Sequence, residues 1–390
     1  MQRQQTQIRC ARDVIRNKQH SKFVLSKSAG ELLSPTLARF ALTNFRKCFL
    51  QYVNTKAVKR METYRVRGST KIPKKLLLPL SFGPSSGSLL HILDQHLTGQ
   101  YERMNRAAYE LCVVHIDLFL DATDREESAA LLEKYKARFP RHSYSSVGLE
   151  EALLLDDIDW STLNITTPYA EDIQGPLSER LQELMGSLPS ATSRADLIST
   201  LKTRLLVEVA KKYGCEGILF GESTTKLAEK TLAETAKGRG FSLPWQVSDG
   251  MSPYALTFNY PLRDLLKKEL VTFISMTSPP LTDLIIYKES SSRISASSKQ
   301  TTIDDLMIQY FESVEENYPS IVANVVRTSS KLKPLTGDET AVCGLCGLPM
   351  VEGTDGIFGW GGDQNSTSQP VKDNGHDSIL CYGCSRSING

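Results

Sequence analysis

The chain has 390 residues, 40% of them hydrophobic and 23% charged, with a formal net charge of +2. That length can bury a sizeable core in two or three domains, and no apolar run approaches the roughly 18 to 20 residues of a membrane span. The N-terminus lacks the hydrophobic centre of a secretory signal, so neither a membrane-spanning nor a conventionally secreted protein is expected.

The first 75 residues hold 18 of the 46 Lys and Arg but only 3 of the 44 Asp and Glu, so they carry +15 and the remainder −13. Such a density of positive charge is the electrostatic footprint of nucleic-acid binding, because each phosphate contact releases condensed counterions. A solvated arm, or a mitochondrial presequence in the first 30 residues, fits the same composition. Within this region "CFLQYVNTKAVKRM" (48–61) has helical spacing, with Phe49, Tyr52 and Val53 inward. Its basic candidates for RNA contact are Arg46, Lys47, Lys56, Lys59, Arg60, Arg65, Arg67, Lys71, Lys74 and Lys75.

From residue 74 the pattern changes. "KKLLLPL" reads as a buried strand, and "SFGPSSGS" (81–88) as a Ser/Gly-rich turn. Leu89, Leu90, Ile92, Leu93 and Leu97 then form the inner face of a helix expected to end at Gly99. The apolar run 111–120 is a second strand, covered on both faces. A helix over 125–139 and a strand near 143–149 follow. Ser193 is placed to cap a helix over 194–214, with Leu197, Leu201, Leu205, Leu206 and Val209 on one face and Gly214 as its stop. A strand at 215–221 and a helix at 224–238 continue the alternation. Strands alternating with helices predict a doubly wound parallel sheet of α/β class. Another helix is expected over 301–318 and a linker over 327–339.

Two spacings carry chemistry. Cys343, Cys346, Cys381 and Cys384 form two CxxC pairs, enough thiolates to close a tetrahedral structural zinc site, with a Gly-rich insertion between the pairs. Metal ligation in a reducing compartment, cytosol or nucleus, is expected rather than disulfides. His376, in that insertion, is expected to be a surface residue. The loop at 81 suits a phosphate, because N–H groups converge at the start of a helix and Ser81, Gly83, Ser85 and Ser86 are small. It lacks the GK[ST] ending of a Walker loop. Cys112 and Cys215 read as small buried hydrophobes, and His91, His96 and His115 have no catalytic setting.

"SFGPSS" resembles the PP-loop, SGGxDS, of ATP pyrophosphatases, with Phe82 and Ser85 in place of a paired glycine and the acid. Phe82 is expected to add bulk where backbone should approach phosphate. "LFGESTTKLAEKTLAETAKGRG" (219–240), "YPLRDLLKKEL" (260–270), "CFLQYVNTK" and the CxxC pairs together resemble the cytoplasmic tRNA 2-thiolation protein 2 family.

The resemblance implies four parts. These are a basic N-terminal region (1–70) with degenerate zinc-binding character, a PP-loop-like domain (71–280), a helical extension and linker (281–335), and a C-terminal zinc ribbon (336–390). In the N-terminal part, Phe45 stands where a cysteine is expected before Cys48, leaving at most Cys10, His20 and Cys48 as ligands. Where catalytic relatives read GHNADDxAET, this chain has Glu222 and Ser223, with Thr225 and Lys226 for the two acids.

The implied role is a cytosolic, weakly catalytic or non-catalytic subunit that binds tRNA beside a catalytic PP-loop thiolase. That complex takes sulfur from a thiocarboxylated ubiquitin-related modifier. ATP at the degenerate loop of this subunit is doubtful. Lys226, Lys230, Lys237 and Arg239 join the tRNA-binding candidates. The alternatives are a self-sufficient ATP-dependent tRNA sulfurtransferase and a zinc-ribbon RNA-binding scaffold.

Overall fold

A computed structural model describes residues 35–65, 72–118, 122–160, 175–287, 301–334, 341–350 and 380–389. In chain order the elements are α1 (Pro35–Arg60), β1 (Lys74–Pro79), α2 (Pro84–Met104), β2 (Tyr109–Asp117), α3 (Ala122–Arg138) and β3 (Ser143–Gly148). There follow α4 (Leu177–Ser187), α5 (Ala191–Lys212), β4 (Gly217–Leu219), α6 (Thr224–Ala236), β5 (Gly250–Met251) and β6 (Thr257–Asn259). The C-terminal helices are α7 (Lys267–Met276), α8 (Ile303–Asn317), α9 (Pro319–Ser329) and α10 (Tyr382–Asn389). Cys10, His20, Arg67, Lys71 and His376 lie outside the described residues.

The strands form one sheet in the order β3-β2-β1-β4-β6-β5, parallel except for β5. Successive side chains of β1 enter opposite layers, so its unbroken apolar run is explained by two covered faces. Leu76 and Leu78 pack with α1, α2 and α7, whereas Leu77 packs with α4, α5, α6 and the C-terminal cysteines. The expected α/β class and parallel sheet are therefore observed. Strand order reverses between β1 and β4, which places the loops after those strands, 81–86 and 221–225, side by side. No helix among the described residues is long and apolar enough to cross a membrane.

Several boundaries differ from expectation, each for a local reason. Helix α2 runs past Gly99 to Met104, because one interior glycine costs only about 1 kcal/mol and the Arg103 Nε–H donates to the Gly99 carbonyl at 2.7 Å. Its stop is Asn105 in the left-handed conformation (φ 52°). The cap of α5 is Ser190, whose hydroxyl accepts the Ser193 N–H at 3.0 Å, so Ser193 is inside the helix. The expected linker after 327 begins as helix, since α9 continues to Ser329. Strand β4 is three residues long rather than seven.

Candidate functional site

The loop after β1 leads into the N-terminus of α2, where an anion cradle is expected, and bonds to its own atoms there. Phe82 holds φ 55°, a glycine-like conformation costing about 1–2 kcal/mol for a side chain. Its ring is 1% exposed and stacks on His115 at 4.2 Å and on Tyr135 at 5.7 Å. The expectation that Phe82 crowds the phosphate is therefore corrected: the ring turns into the core, and burial offsets the strain. His115 supports it from below, its Nδ1–H donating to the Leu80 carbonyl at 2.8 Å. Burial holds its imidazole below the ordinary pKa.

What closes the cradle is Ser86, together with Pro84, a residue that small-residue spacing does not single out. The Ser81 N–H donates to Ser86 Oγ at 3.2 Å, the two hydroxyls bond at 3.2 Å, and Ser86 donates onward to the Gly83 carbonyl. Pro84, the first residue of α2, has no N–H, removing a donor that an anion would use. Gly83 caps the helix and Ser85 sits half-buried in its first turn. From the neighbouring loop, Gly221 comes so close that a Cβ there would lie 2.8 Å from Ser86 Cα. Gly221→Ala is accordingly expected to cost about 1–3 kcal/mol in urea unfolding.

The second loop is likewise committed to structure. Ser223 caps α6, accepting the Lys226 N–H at 3.2 Å. Thr225 is fully buried, donates to Glu315 of α8 at 2.6 Å and accepts the Lys267 N–H at 3.0 Å. The second oxygen of Glu315 takes the Lys268 N–H at 3.1 Å. The hydroxyl at 225 thus ties α6, α7 and α8 together.

The basic candidates do not form one surface. Lys56, Lys59 and Arg60 end α1 near the turn after β6, where Arg60 pairs with Asp264 at 2.7 Å. Lys56 and Arg60 line a cavity of about 510 Å³ with Thr224, Arg263, Asp264 and Arg327. Lys226 pairs with Glu229 at 3.1 Å and Lys230 with Glu222 at 3.5 Å. Lys74 and Lys75 begin β1, at the opposite edge of the sheet, and Lys74 is held by Glu216 at 2.5 Å. Arg65 pairs with Glu62, and Arg46 bonds the carbonyls of Met276 and Thr277, closing the end of α7.

Lys237 and Arg239 are enclosed, their side chains 6% and 5% exposed. Arg239 chelates Asp196 and reaches Glu234 at 2.7 Å, while Lys237 meets Asp196 at 3.0 Å, Glu234 at 2.8 Å and Asp304 at 3.2 Å. Ser387 of α10 also donates to Asp196. These two cations lock the C-terminal helix to α5 and α6, and no charge of theirs is presented to RNA.

The four C-terminal cysteines converge. All are buried, and their sulfurs lie within 4.8 Å of one another. Cys346 and Cys381 sulfurs are 3.9 Å apart, against about 3.8 Å expected between thiolates 2.3 Å from a single tetrahedral ion. The residues present therefore fit one metal ion. Hydrogen bonds from Cys346, then Cys381 and Cys384, push the Cys343 thiol far below its ordinary range.

The first pair sits on a turn closed by the Val342–Pro349 bridge and by Gly347 in the left-handed region (φ 70°). A Cβ at Gly347 would strike Arg204. The turn is bonded to the core: Tyr254 OH donates to the Cys346 carbonyl at 2.5 Å, and the Asp159 N–H to the Gly344 carbonyl at 3.0 Å.

Cys112 and Cys215, expected to be inert fillers, interact with each other. The Cys112 thiol is pushed down to about 6, chiefly by a hydrogen bond from Cys215, and that partnership drives the Cys215 thiol upward.

Comparison with known proteins agrees with these features. A family model described as cytoplasmic tRNA 2-thiolation protein 2 matches residues 302–386. The protein of that name from Sclerotinia sclerotiorum is 66% identical over 280 residues, covering 72% of this chain and 75% of the relative. That from Phaeosphaeria nodorum is 50% identical, covering 87% and 88%. Among solved structures, the U34-tRNA thiolase NcsA from Methanococcus maripaludis, with its [4Fe-4S] cluster, matches with a TM-score of 0.50 at 15% identity. The match covers 78% of this chain and 85% of that one, a likeness of fold. With identity and coverage this high among the curated relatives, the chain belongs to the cytoplasmic tRNA 2-thiolation protein 2 family.

Proposed function

We propose that the chain is the tRNA-binding, non-catalytic subunit of a cytoplasmic complex that 2-thiolates the wobble uridine of tRNA Lys, Glu and Gln. The catalytic subunit is a PP-loop thiolase supplied with sulfur by a thiocarboxylated ubiquitin-related modifier. The observation that carries this reading is the pair of loops at the strand-order reversal. Thiolation requires O2 of the uridine to be adenylated before sulfur displaces it, and in the loop that would hold ATP the Ser81 N–H and the Ser81 and Ser86 hydroxyls are bonded within the loop itself. In the second loop, Thr225 stands at the first of the two acid positions, and its hydroxyl is bonded to Glu315. Family membership sets the process, and these loops favour a supporting role within it.

In this reading Lys56 and Lys59 of α1, with Lys226 and Lys230 of α6, contact tRNA phosphates beside the closed cradle. The C-terminal cysteines hold zinc, supplying a rigid closed site with no open position for chemistry. A four-iron cluster would spread its thiolate ligands wider than the 4.8 Å limit observed.

Reconstitution tests the proposal. The chain with its catalytic partner is expected to form 2-thiouridine in tRNA, and the isolated chain to show no ATP–pyrophosphate exchange. Exchange by the isolated chain would establish the self-sufficient enzyme instead. Persistence of 2-thiouridine in cells lacking the protein would refute both. Lys56→Glu with Lys59→Glu is expected to weaken tRNA binding about tenfold at low salt and to flatten its salt dependence, read by filter binding.

A further inference from the structure

The edge of the sheet opposite the two loops carries a separate cavity of about 700 Å³, within the range of small-molecule sites. It exists because helices overhang strands. The extra turn of α2 beyond Gly99 brings Tyr101, the end of α5 brings Lys212 and Tyr213, and β1, β2 and β3 start beneath them. Three cations line it, Lys75, Arg141 and Lys212, and none has an ion pair among the described residues. A single acid, Glu110, faces them. The cavity at the other edge is different in kind, since Arg60 and Arg263 there are neutralised by Asp249 and Asp264.

Aromatic surface accompanies this charge. Tyr101 and Tyr213 are each 38% exposed, and the Arg141 guanidinium lies 5.0 Å from the Tyr101 ring centre. Ser145, also in the lining, has a buried hydroxyl with no hydrogen-bond partner. Unpaired cations interleaved with exposed aromatic rings suit a phosphate attached to a flat heterocycle. A concave site of this size takes one splayed base, which a base-paired helix does not offer.

We propose that this cavity binds an unpaired nucleotide of an RNA strand, its base against Tyr101 and Tyr213 and its phosphates on Lys75, Arg141 and Lys212. The inference rests on the RNA-binding role above and adds a second contact, across the sheet from Lys56 and Lys59. The tRNA would then reach around the edge of the subunit rather than sit on one face.

Cys112 lines the cavity, is half-buried and forms no disulfide, so its alkylation serves as a reporter of occupancy. The full chain is treated with iodoacetamide, and labelling at Cys112 is followed by peptide mass spectrometry. It is done alone, with whole tRNA, with a short unstructured RNA, and with an acidic peptide of matched charge. Both RNAs are expected to slow labelling several-fold, and the peptide to leave it unchanged.

Tyr101→Ala with Lys212→Glu should abolish protection and weaken binding of the short RNA about tenfold. Tyr101→Phe, which keeps the ring, should restore it. tRNA that binds by filter assay yet leaves Cys112 labelling undiminished overturns the inference while sparing the docking role. A chain that binds no tRNA at all sinks both. Equal protection by the acidic peptide would assign the cavity to a protein ligand instead.

Discussion

Cys346→Ser is expected to empty the metal centre and to lower unfolding free energy by several kcal/mol, far more than a surface change. Structural zinc contributes about 10–16 kcal/mol of apparent binding energy in small domains, and an ion held by these four thiolates would couple that energy to the main core. Cys343, Cys346, Cys381 and Cys384 pack in the same apolar cluster as Leu77 of β1 and Ile218 of β4. Tyr254 and Asp159 fasten the first cysteine turn, and α10 begins at Tyr382, inside the second pair, and carries Cys384. Metal content by atomic spectroscopy should fall from about one ion per chain to none. The urea midpoint should drop with it, and the C-terminal segment become sensitive to protease. An unchanged midpoint after metal loss would show the cysteines to be an appendage.

Asp196→Ala is expected to cost about 3–5 kcal/mol, the penalty for stranding buried charge. Arg239 and Lys237 would be left with Glu234 and the partly exposed Asp304, in a pocket from which water is excluded. Replacing Asp196 and Arg239 together by Leu and Met should cost less than Asp196→Ala alone, since apolar pairs of similar volume need no partner.

The same network predicts acid sensitivity. Burial alone would raise Asp196 and Glu234; Arg239 and Lys237 outweigh it, holding Asp196 below the usual carboxylate range and drawing Glu234 down to about 2. Depressed carboxylates contribute stability that is full above their unfolded range, about pH 4 to 4.5, and is lost as pH falls through the folded values. The loss should therefore run from about pH 4.5 toward 2, and Asp196→Ala should flatten it. Urea midpoints measured across that interval supply the check.

The parallel sheet and its loops were legible because apolar runs and small-residue turns are local signals. The C-terminal cysteines were legible because ligand spacing is itself the signal. What stayed hidden depended on partners far along the chain. Lys237 and Arg239 look like any exposed basic pair until Asp196, 41 and 43 residues away, and Ser387, 191 residues from Asp196, are brought beside them.

The split of Lys56 and Lys59 from Lys74 and Lys75 is equally invisible in a charge count, because a helix and a strand separate neighbours in sequence to opposite edges of a sheet. Pro84 was in plain view. Its effect needed the knowledge that α2 begins there and that Ser86 folds back on Ser81. Strands β5 and β6 are too short, at two and three residues, for any periodicity to register.

The bond between Thr225 and Glu315 also governs what single substitutions can recover. An aspartate at 225, the residue type that catalytic relatives carry there, would bring a second carboxylate to about the 2.6 Å now spanned by a hydrogen bond. Both groups are buried, so one would have to take a proton or leave the interior. Lys267 and Lys268 would lose the arrangement that starts α7. Installing an acid at this site therefore takes not one step but a concerted change in two helices. The Thr225–Glu315 bond thus makes α8, some 90 residues away, part of what fixes the side chain at 225.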